Sequence, residues 1–351
     1  MASYIGGAVL TRFLSHPNAG NFHFTLLVRD PKKAERFNQM RGVSAVVGSH
    51  DDAPLVERLA SGVDVVIAVA DSDNLAAVEA ILAGLKKRYA ATGVKPVFIH
   101  TSGAAVVMDQ AKGTHASDTI WDDADVEQME SLPATQLHRN VDLAVVNADA
   151  EGYVRTYILI PTLVYGLATG PLVDAGLQKR HSQIIPLLIK VARERGCAGV
   201  VGEGKNVWPN VSIQELPDLY VALYDSISSN PTGTGHGREG YYFAESGESS
   251  IYEISHAIGS ALLSLGLTSA SSAEPSAFSD AELARWFGGS TFLGANARCR
   301  TTRGLEIGWR PVMGTGDLLG SVRGEVEALI GEGEGAGVQG GGGVVGKLAR
   351  A

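Results

Sequence analysis

Apolar residues fall into two spacings that alternate along the first two-thirds of the chain. Short continuous runs, which mark buried strands, give way to stretches where apolar positions recur every three or four residues, which mark helices. Ile5, Val9, Leu10, Phe13 and Leu14 predict a helix that Pro17 stops, and Phe24–Val28 predicts the strand after it. A short helix over Lys32–Met40, a strand over Ser44–Val47 and a helix around Pro54–Leu59 follow. Val63–Ala70 is almost unbroken apolar sequence, as expected of a strand covered on both faces. Leu75, Val78, Leu82, Leu85 and Tyr89 predict a long helix, and Val97–His100 a buried strand. Leu137–Ala150 and Val154–Ile160 repeat the helix-then-strand pattern. Such alternation predicts an α/β fold with a doubly wound parallel sheet of the Rossmann type, whose ligands bind beyond the carboxyl ends of the strands.

After Gly166 the pattern loosens. Helices over Gln183–Arg195, Gln214–Ser228, Ser250–Leu265 and Asp280–Phe287 are separated by Gly-, Ser- and Pro-rich connections. The expected organisation is an α/β unit over residues 1–165 and a smaller lobe over 166–330, interleaved with the last strands of the sheet. Residues 331–351, with the glycine-dominated stretch Gly331–Gly346, form a flexible tail. Between Asp109 and Thr135 the chain is polar and irregular, with Asp118, Asp122, Asp123 and Asp125. That stretch reads as a loop over the cleft or a solvated acidic surface; no histidine joins it at ligand spacing, so no metal site is expected.

Composition narrows the function. The 351 residues are 45% hydrophobic and 19% charged, ordinary values for a globular enzyme, and the net charge of −9 argues against a nucleic-acid surface. No apolar run is long enough to span a bilayer, and the N-terminus lacks a basic-then-apolar signal. Cys197 and Cys299 match no metal spacing and read as buried thiols. A cytoplasmic monomer or homodimer with a small-molecule substrate is the expectation, without nucleic-acid or membrane partners.

The candidate chemistry begins at Ser3-Tyr4-Ile5-Gly6-Gly7. A glycine-rich turn into a helix, followed by a strand with a charged tip, is the first half of a dinucleotide-binding unit, in which the pyrophosphate meets backbone N–H groups and the helix dipole. Tyr4-Ile5-Gly6-Gly7 resembles the end of the Gly-Ala-Thr-Gly-Tyr-Ile-Gly-Gly motif of the extended and atypical short-chain dehydrogenase/reductases. Ser3 stands where the motif's second glycine would be, and only Met1 and Ala2 precede it, so the unit is expected to lack its first strand. Arg29 at the tip of a strand, His100-Thr101-Ser102-Gly103, Pro161-Thr162-Leu163-Val164-Tyr165-Gly166, the segment Val211–Leu219 and the late Gly308-Trp309-Arg310-Pro311 follow in the order of that superfamily. The epimerase/dehydratase-like and NmrA-like oxidoreductases are the most similar branches.

The resemblance implies a cofactor lying across Tyr4, Ile5, Gly6, Arg29, Asp51, Ala68, Ala70, Ser102, Pro161, Thr162 and Leu163. An arginine at the second-strand tip accommodates a 2′-phosphate, which favours NADP over NAD; Asp30 beside it would serve NAD instead. Asp51 or Asp52 resembles the acidic group near the adenine. Catalysis in this superfamily uses a Ser or Thr with a Tyr-x-x-x-Lys step on a helix. Ser102 matches the first, while His138 and Asp142 hold the four-residue step, which places both on one helix face. His138 is either a proton-transferring partner of Asp142 or an ordinary capping or core histidine; Tyr165 is a second acid/base candidate. The function expected is that of an NAD(P)-dependent oxidoreductase or epimerase-like enzyme acting on a small carbonyl or alcohol. The alternative is a non-catalytic NAD(P)-binding sensor or interaction protein, which the departure from Tyr-x-x-x-Lys supports.

Overall fold

In the computed structural model, which describes residues 3–332, the centre is a parallel four-stranded sheet. Helix α1 (Tyr4–Leu14) starts at Ser3, whose hydroxyl caps it, and strand β1 (Phe24–Val28) follows. Then come α2 (Pro31–Asn38), β2 (Val43–Val47), α3 (Ala53–Ala60), β3 (Val65–Ala68), α4 (Leu75–Thr92) and β4 (Val97–Thr101). Asp30, Asp52 and Asn74 cap α2, α3 and α4 with their side chains, so each helix begins where a short polar residue satisfies otherwise unpaired N–H groups. Gly93, at φ 68°, ends α4 in the left-handed conformation that a side chain would strain.

The acidic stretch holds β5 (Trp121–Asp122) and α5 (Val126–Glu130) before α6 (Arg139–Ala150) and β6 (Arg155–Pro161). It is not simply a solvated surface. Asp123 is buried and accepts backbone N–H bonds from Phe243 and Arg303, each at 2.8 Å. Further on lie β7 (Leu163–Tyr165), α7 (Pro171–Asp174), α8 (Ile184–Arg195), β8 (Gly199–Val200), β9 (Val207–Ser212), α9 (Leu216–Ser229), β10 (Tyr241–Ala244) and β11 (Gly247–Ser250). The last elements are α10 (Ile251–Ser264), β12 (Ser276–Ala277), α11 (Asp280–Phe287), β13 (Cys299–Arg300), α12 (Thr302–Glu306) and α13 (Thr315–Gly331). Gly331 thus closes a helix, and the expected flexible tail from residue 333 onward lies outside the described residues. Cys299 is buried as expected, whereas Cys197 is only half-buried.

The central sheet runs β10–β6–β4–β3 with every pair parallel. Successive side chains of a strand point to opposite faces, and the burial follows that rule. Ile99, Tyr157 and Leu159 face α1 and α9 with Val9, Phe13 and Tyr220, whereas Phe98, Ile158 and Ile160 face α4 and α6 with Leu85, Val141 and Val145. The second of these apolar clusters continues without interruption into α8, α10 and α13 through Ile185, Ile258 and Val322. A mixed three-stranded sheet, β11–β9–β7, adjoins it.

β3 departs from expectation. All four of its residues are half-buried, not covered on both faces. The reason is topological: β1 and β2 form a separate parallel pair, so β1 and β3 each keep one unpaired edge. Unpaired edges leave amides without sheet partners. Hydrogen exchange is therefore expected to be at least roughly tenfold faster in β1 and β3 than in β4 and β6, because local opening is easiest where the ladder is one-sided. Equal protection across these four strands would contradict the split sheet.

Candidate cofactor and active site

The start of α1 lies against the end of β3. Ser3 Oγ accepts the N–H of Gly6 at 2.9 Å and donates to the carbonyl of Val69 at 3.3 Å. A Cβ on Gly6 would stand 2.7 Å from Ser3 Oγ and 3.0 Å from Val69 Cγ2, so only glycine fits. At Gly7 the crowding comes from Gln178, whose side-chain amide donates to the carbonyl of Tyr4 at 2.9 Å. The N–H groups of Tyr4 and Ile5 belong to the first turn, where no intrahelical acceptor exists, and they lie at the positive end of the helix dipole. That donor set fits a phosphate. The Tyr4 side chain does something else: its buried phenol donates to the carbonyl of Tyr165 at 3.1 Å, and burial, with Glu325 nearby, holds its pKa well above the ordinary value.

At the tip of β1, Arg29 is exposed, while Asp30 accepts the N–H groups of Lys32 and Lys33 at 2.9 and 3.4 Å. Asp30 thus serves α2. Asp52 likewise accepts from Leu55 N–H at 3.2 Å and serves α3, which leaves Asp51 as the acidic side chain beyond β2. Asp51 accepts from Ser49 Oγ at 2.9 Å and from the Asn74 amide at 2.8 Å. The Ser49 bond, His50, Asn74 and, more weakly, Arg29 hold its carboxyl below the usual range. Ala68 ends β3 half-buried and Ala70 is exposed just past it. Pro161 pairs with Ala244 of β10, Leu163 packs into the core, and the Thr162 hydroxyl donates to the carbonyl of Ala244 at 2.7 Å. That hydroxyl therefore serves the sheet.

Beyond β4 and at the start of α6 a buried polar constellation forms. The Ser102 N–H donates to Leu159 at 2.8 Å, and its hydroxyl bonds Asp142 Oδ2 at 3.1 Å. His138 is not one helical turn below Asp142 on a common face. It is the N-cap of α6, at φ 69°, one of two non-glycine residues with positive φ among those described. That conformation costs energy, and such strain gathers at functional positions. The imidazole Nδ1 of His138 pairs with Asp73, not with Asp142. Its Nε2 lies beside Gly103, where a Cβ would be only 3.0 Å away. Asp73 went unread in the sequence, although Asp71-Ser72-Asp73 lies just past the carboxyl end of β3, where active-site groups gather. Tyr165 donates to the Gly314 carbonyl at 3.2 Å and is 1% exposed, which makes it a structural phenol. Among the described residues no group of three His, Cys, Asp or Glu side chains is arranged to hold a metal ion. Surface cavities of about 220 and 440 Å³ share no residue with this constellation.

Comparison with known proteins bears on the fold and the cofactor class. The NAD(P)H-binding family matches residues 3–131. An oxidase of Acremonium sp., ucsJ, is 31% identical over 333 residues, covering 88% of this chain and 90% of that protein. Solved structures with the same fold include a UDP-glucose 4-epimerase from Thermotoga maritima, at 14% identity and TM-score 0.61 over 93% of this chain and 97% of that one. A double mutant of the dTDP-glucose 4,6-dehydratase of Streptomyces venezuelae, with NAD bound, gives 18% and 0.61 over 95% and 97%. The chain belongs to the same family as that oxidase, matches the NAD(P)H-binding family over its first part, and shares the Rossmann-type fold of these epimerases and dehydratases. No described helix is long and apolar enough to cross a membrane.

Asp142 makes the site sensitive to pH. Burial raises its pKa to about 7, against the lowering effects of His138, Ser102 and Arg139. In the unfolded chain the group loses its proton near pH 4, so between about 4 and 7 the folded state binds more protons than the unfolded one. Stability contributed by this group therefore falls as pH rises through that window and stays low above it. Asp142→Asn is expected to stabilise the fold on the order of 2–4 kcal/mol at pH 8 and hardly at all at pH 4. Urea unfolding at the two pH values would check it, and an equal effect at both would contradict the buried acid.

Proposed function

We propose that this chain is an NAD(P)-dependent oxidoreductase that interconverts a small carbonyl compound and its alcohol, with His138 as the proton-transferring group. The observation that carries the reading is the His138–Asp73 pair at the carboxyl ends of β3 and β4, next to Ser102. Asp73 on Nδ1 fixes the ring's tautomer and leaves Nε2 to exchange a proton, the arrangement a histidine acid/base needs. Ser102 would hydrogen-bond the substrate oxygen. The similarity to an oxidase over most of the chain supports redox chemistry.

The cofactor would be held by the N–H groups of Tyr4 and Ile5, by Gly6, by Arg29 and Asp51 on the adenosine side, and by Ala68, Ala70 and the Pro161–Leu163 turn. When bound, a nicotinamide supplies or accepts the hydride. Arg29, exposed at its tip while Asp30 serves α2, favours NADP(H). Residues 166–330 would form the lobe that closes over the substrate.

Two measurements test this. Arg29→Ala is expected to weaken NADP(H) binding by about 1.5–3 kcal/mol, the scale of a charged hydrogen bond, and to leave NAD(H) nearly unchanged. Isothermal titration with both cofactors reads it, and an equal loss for NAD(H) counts against the phosphate grip. His138→Gln is expected to lower NADPH-dependent turnover of small aldehydes, ketones and α-diketones about a hundredfold, with cofactor affinity retained. A wild-type protein that binds cofactor and turns over none of these carbonyls would favour the sensor, the reading supported by an aspartate standing where the family has lysine.

A further inference from the structure

His100 is a fully buried ionisable group on the central sheet that the proposed reaction leaves without a task. Alternation along β4 turns it, with Phe98, toward α4 and α6, while Thr101 turns the other way to bond Tyr220 at 2.8 Å. His100 is 1% exposed, and among the described residues neither of its ring nitrogens has a hydrogen-bond partner. Asp142 is fully buried, and its Oδ1 also has none. These two orphans face each other: His100 Nε2 lies 3.9 Å from Asp142 Oδ1. On its other side Asp142 meets Ser102, through Oδ2 at 3.1 Å. The three side chains therefore form one line, running from the end of β4 into the core, with a carboxyl group in the middle.

A buried polar atom without a partner costs free energy, and hydrogen bonds of a catalytic site are often long before substrate binds and tighten in the complex. Each has a donor to offer the other only in certain protonation states. A neutral imidazole with its proton on Nε2 donates to Oδ1; the carboxyl proton then resides on Oδ2 and points at Ser102. In that state no net charge is buried in the pair. We propose that Asp142 works as a neutral carboxylic acid, that His100 on Oδ1 keeps its proton on Oδ2, and that this proton, donated to Ser102 Oγ, turns the serine hydroxyl outward as donor to the substrate oxygen. An ionised Asp142 would do the reverse, drawing the Ser102 proton inward and leaving only lone pairs for the substrate. His100 is thus a positioning residue acting through Asp142. The proposal rests on the oxidoreductase reading for its last step only, the donation to substrate.

The surroundings agree. The groups facing this line are His138 and Arg139 at the start of α6, Asp71 and Asp73 ahead of α4, and Tyr241 of β10, which bonds Arg139 at 2.6 Å. Burial dominates for both members, holding His100 down to about 4 and raising Asp142 to about 7, so near pH 6 histidine is neutral and the acid keeps its proton. A carboxylic acid kept neutral by an apolar site so that it can donate is an established catalytic device. As a neutral donor Asp142 also adds no charge opposing an anionic cofactor.

The test does not require a substrate. In the full-length protein with NADP⁺ added, carboxyl-¹³C-labelled aspartate reports the protonation of Asp142, assigned by its disappearance in Asp142→Asn. ¹⁵N-labelled histidine reports the tautomer of His100. The expected result is an Asp142 carboxyl protonated at pH 6 and titrating near 7, with His100 neutral and protonated on Nε2 throughout. His100→Phe removes the donor to the carboxylate and should raise the Asp142 midpoint by roughly one pH unit, tenfold in proton affinity. His100→Asn keeps a donor and should restore it; should the bulkier phenylalanine unfold the protein, His100→Leu takes its place. An Asp142 ionised at pH 6, or a midpoint indifferent to His100, overturns the proposal whatever the protein turns over. Where a carbonyl is reduced, kcat should fall above the Asp142 midpoint and the limb should move with His100→Phe while KM holds. A limb that stays in place refutes the link to Ser102 and leaves the oxidoreductase reading standing.

Discussion

The pairing of β4 with β6 is the constraint on which the rest of the structure depends. Every residue of β4 is buried, and of β6 only Arg155 is partly exposed. A strand covered on both faces must place each side chain in one of two apolar clusters, and the period of two leaves no freedom in the choice. Ile99 and Thr101 go to the α1/α9 side, and Phe98 and His100 to the α4/α6 side. A register slip of one residue would exchange these sets and place an imidazole against Tyr220. The same pairing puts Ser102 just beyond the strand end, its N–H held by Leu159 of β6, so the backbone at the site is as rigid as the sheet itself.

Around that pair the molecule buries acids as connectors. Asp123 holds the backbone of β10 and the start of α12, and Glu325 of α13 accepts the Gly166 N–H at 3.0 Å, fixing the turn after β7. Burial raises each of them to about 7, as it does Asp142. Such groups are costly unless hydrogen-bonded. Among the described residues Asp123 has both oxygens engaged, whereas Glu325 and Asp142 each keep one oxygen without a partner. What sets Asp142 apart is its neighbours, the His100 imidazole on the side of one oxygen and the Ser102 hydroxyl on the other.

Much of the architecture was legible without coordinates because it is local. Phe24–Val28 and Asp280–Phe287 have the bounds expected from their patterns, and α4 carries the predicted stripe of Val78, Leu82 and Leu85. Capping residues and apolar periodicity lie within one turn of the feature they determine, so a single stretch of sequence contains the cause. Reading failed where the cause was distant. Val63–Ala70 has the composition of a doubly covered strand, yet its exposure depends on whether another strand lies beside it. Asp122 and Asp123 are adjacent acids, but only the second is met by the N–H groups of Phe243 and Arg303, more than a hundred residues away.

The site divides along the same line. Sequence alone determined most of the elements, the helix start at Tyr4–Gly6, the charged tip at Arg29 and the placing of Ser102 past a central strand, since each follows from order along the chain. Tertiary structure alone decided which residues are partners. His138 and Asp142 are four apart and would share a face in a continuous helix, but the left-handed turn at His138 breaks that geometry and hands the imidazole to Asp73. Asp142 is thereby left to Ser102 and His100, residues forty or more positions earlier. Spacing predicts neighbours only while the backbone is regular; where it turns, burial and the demand for hydrogen-bond partners choose them instead.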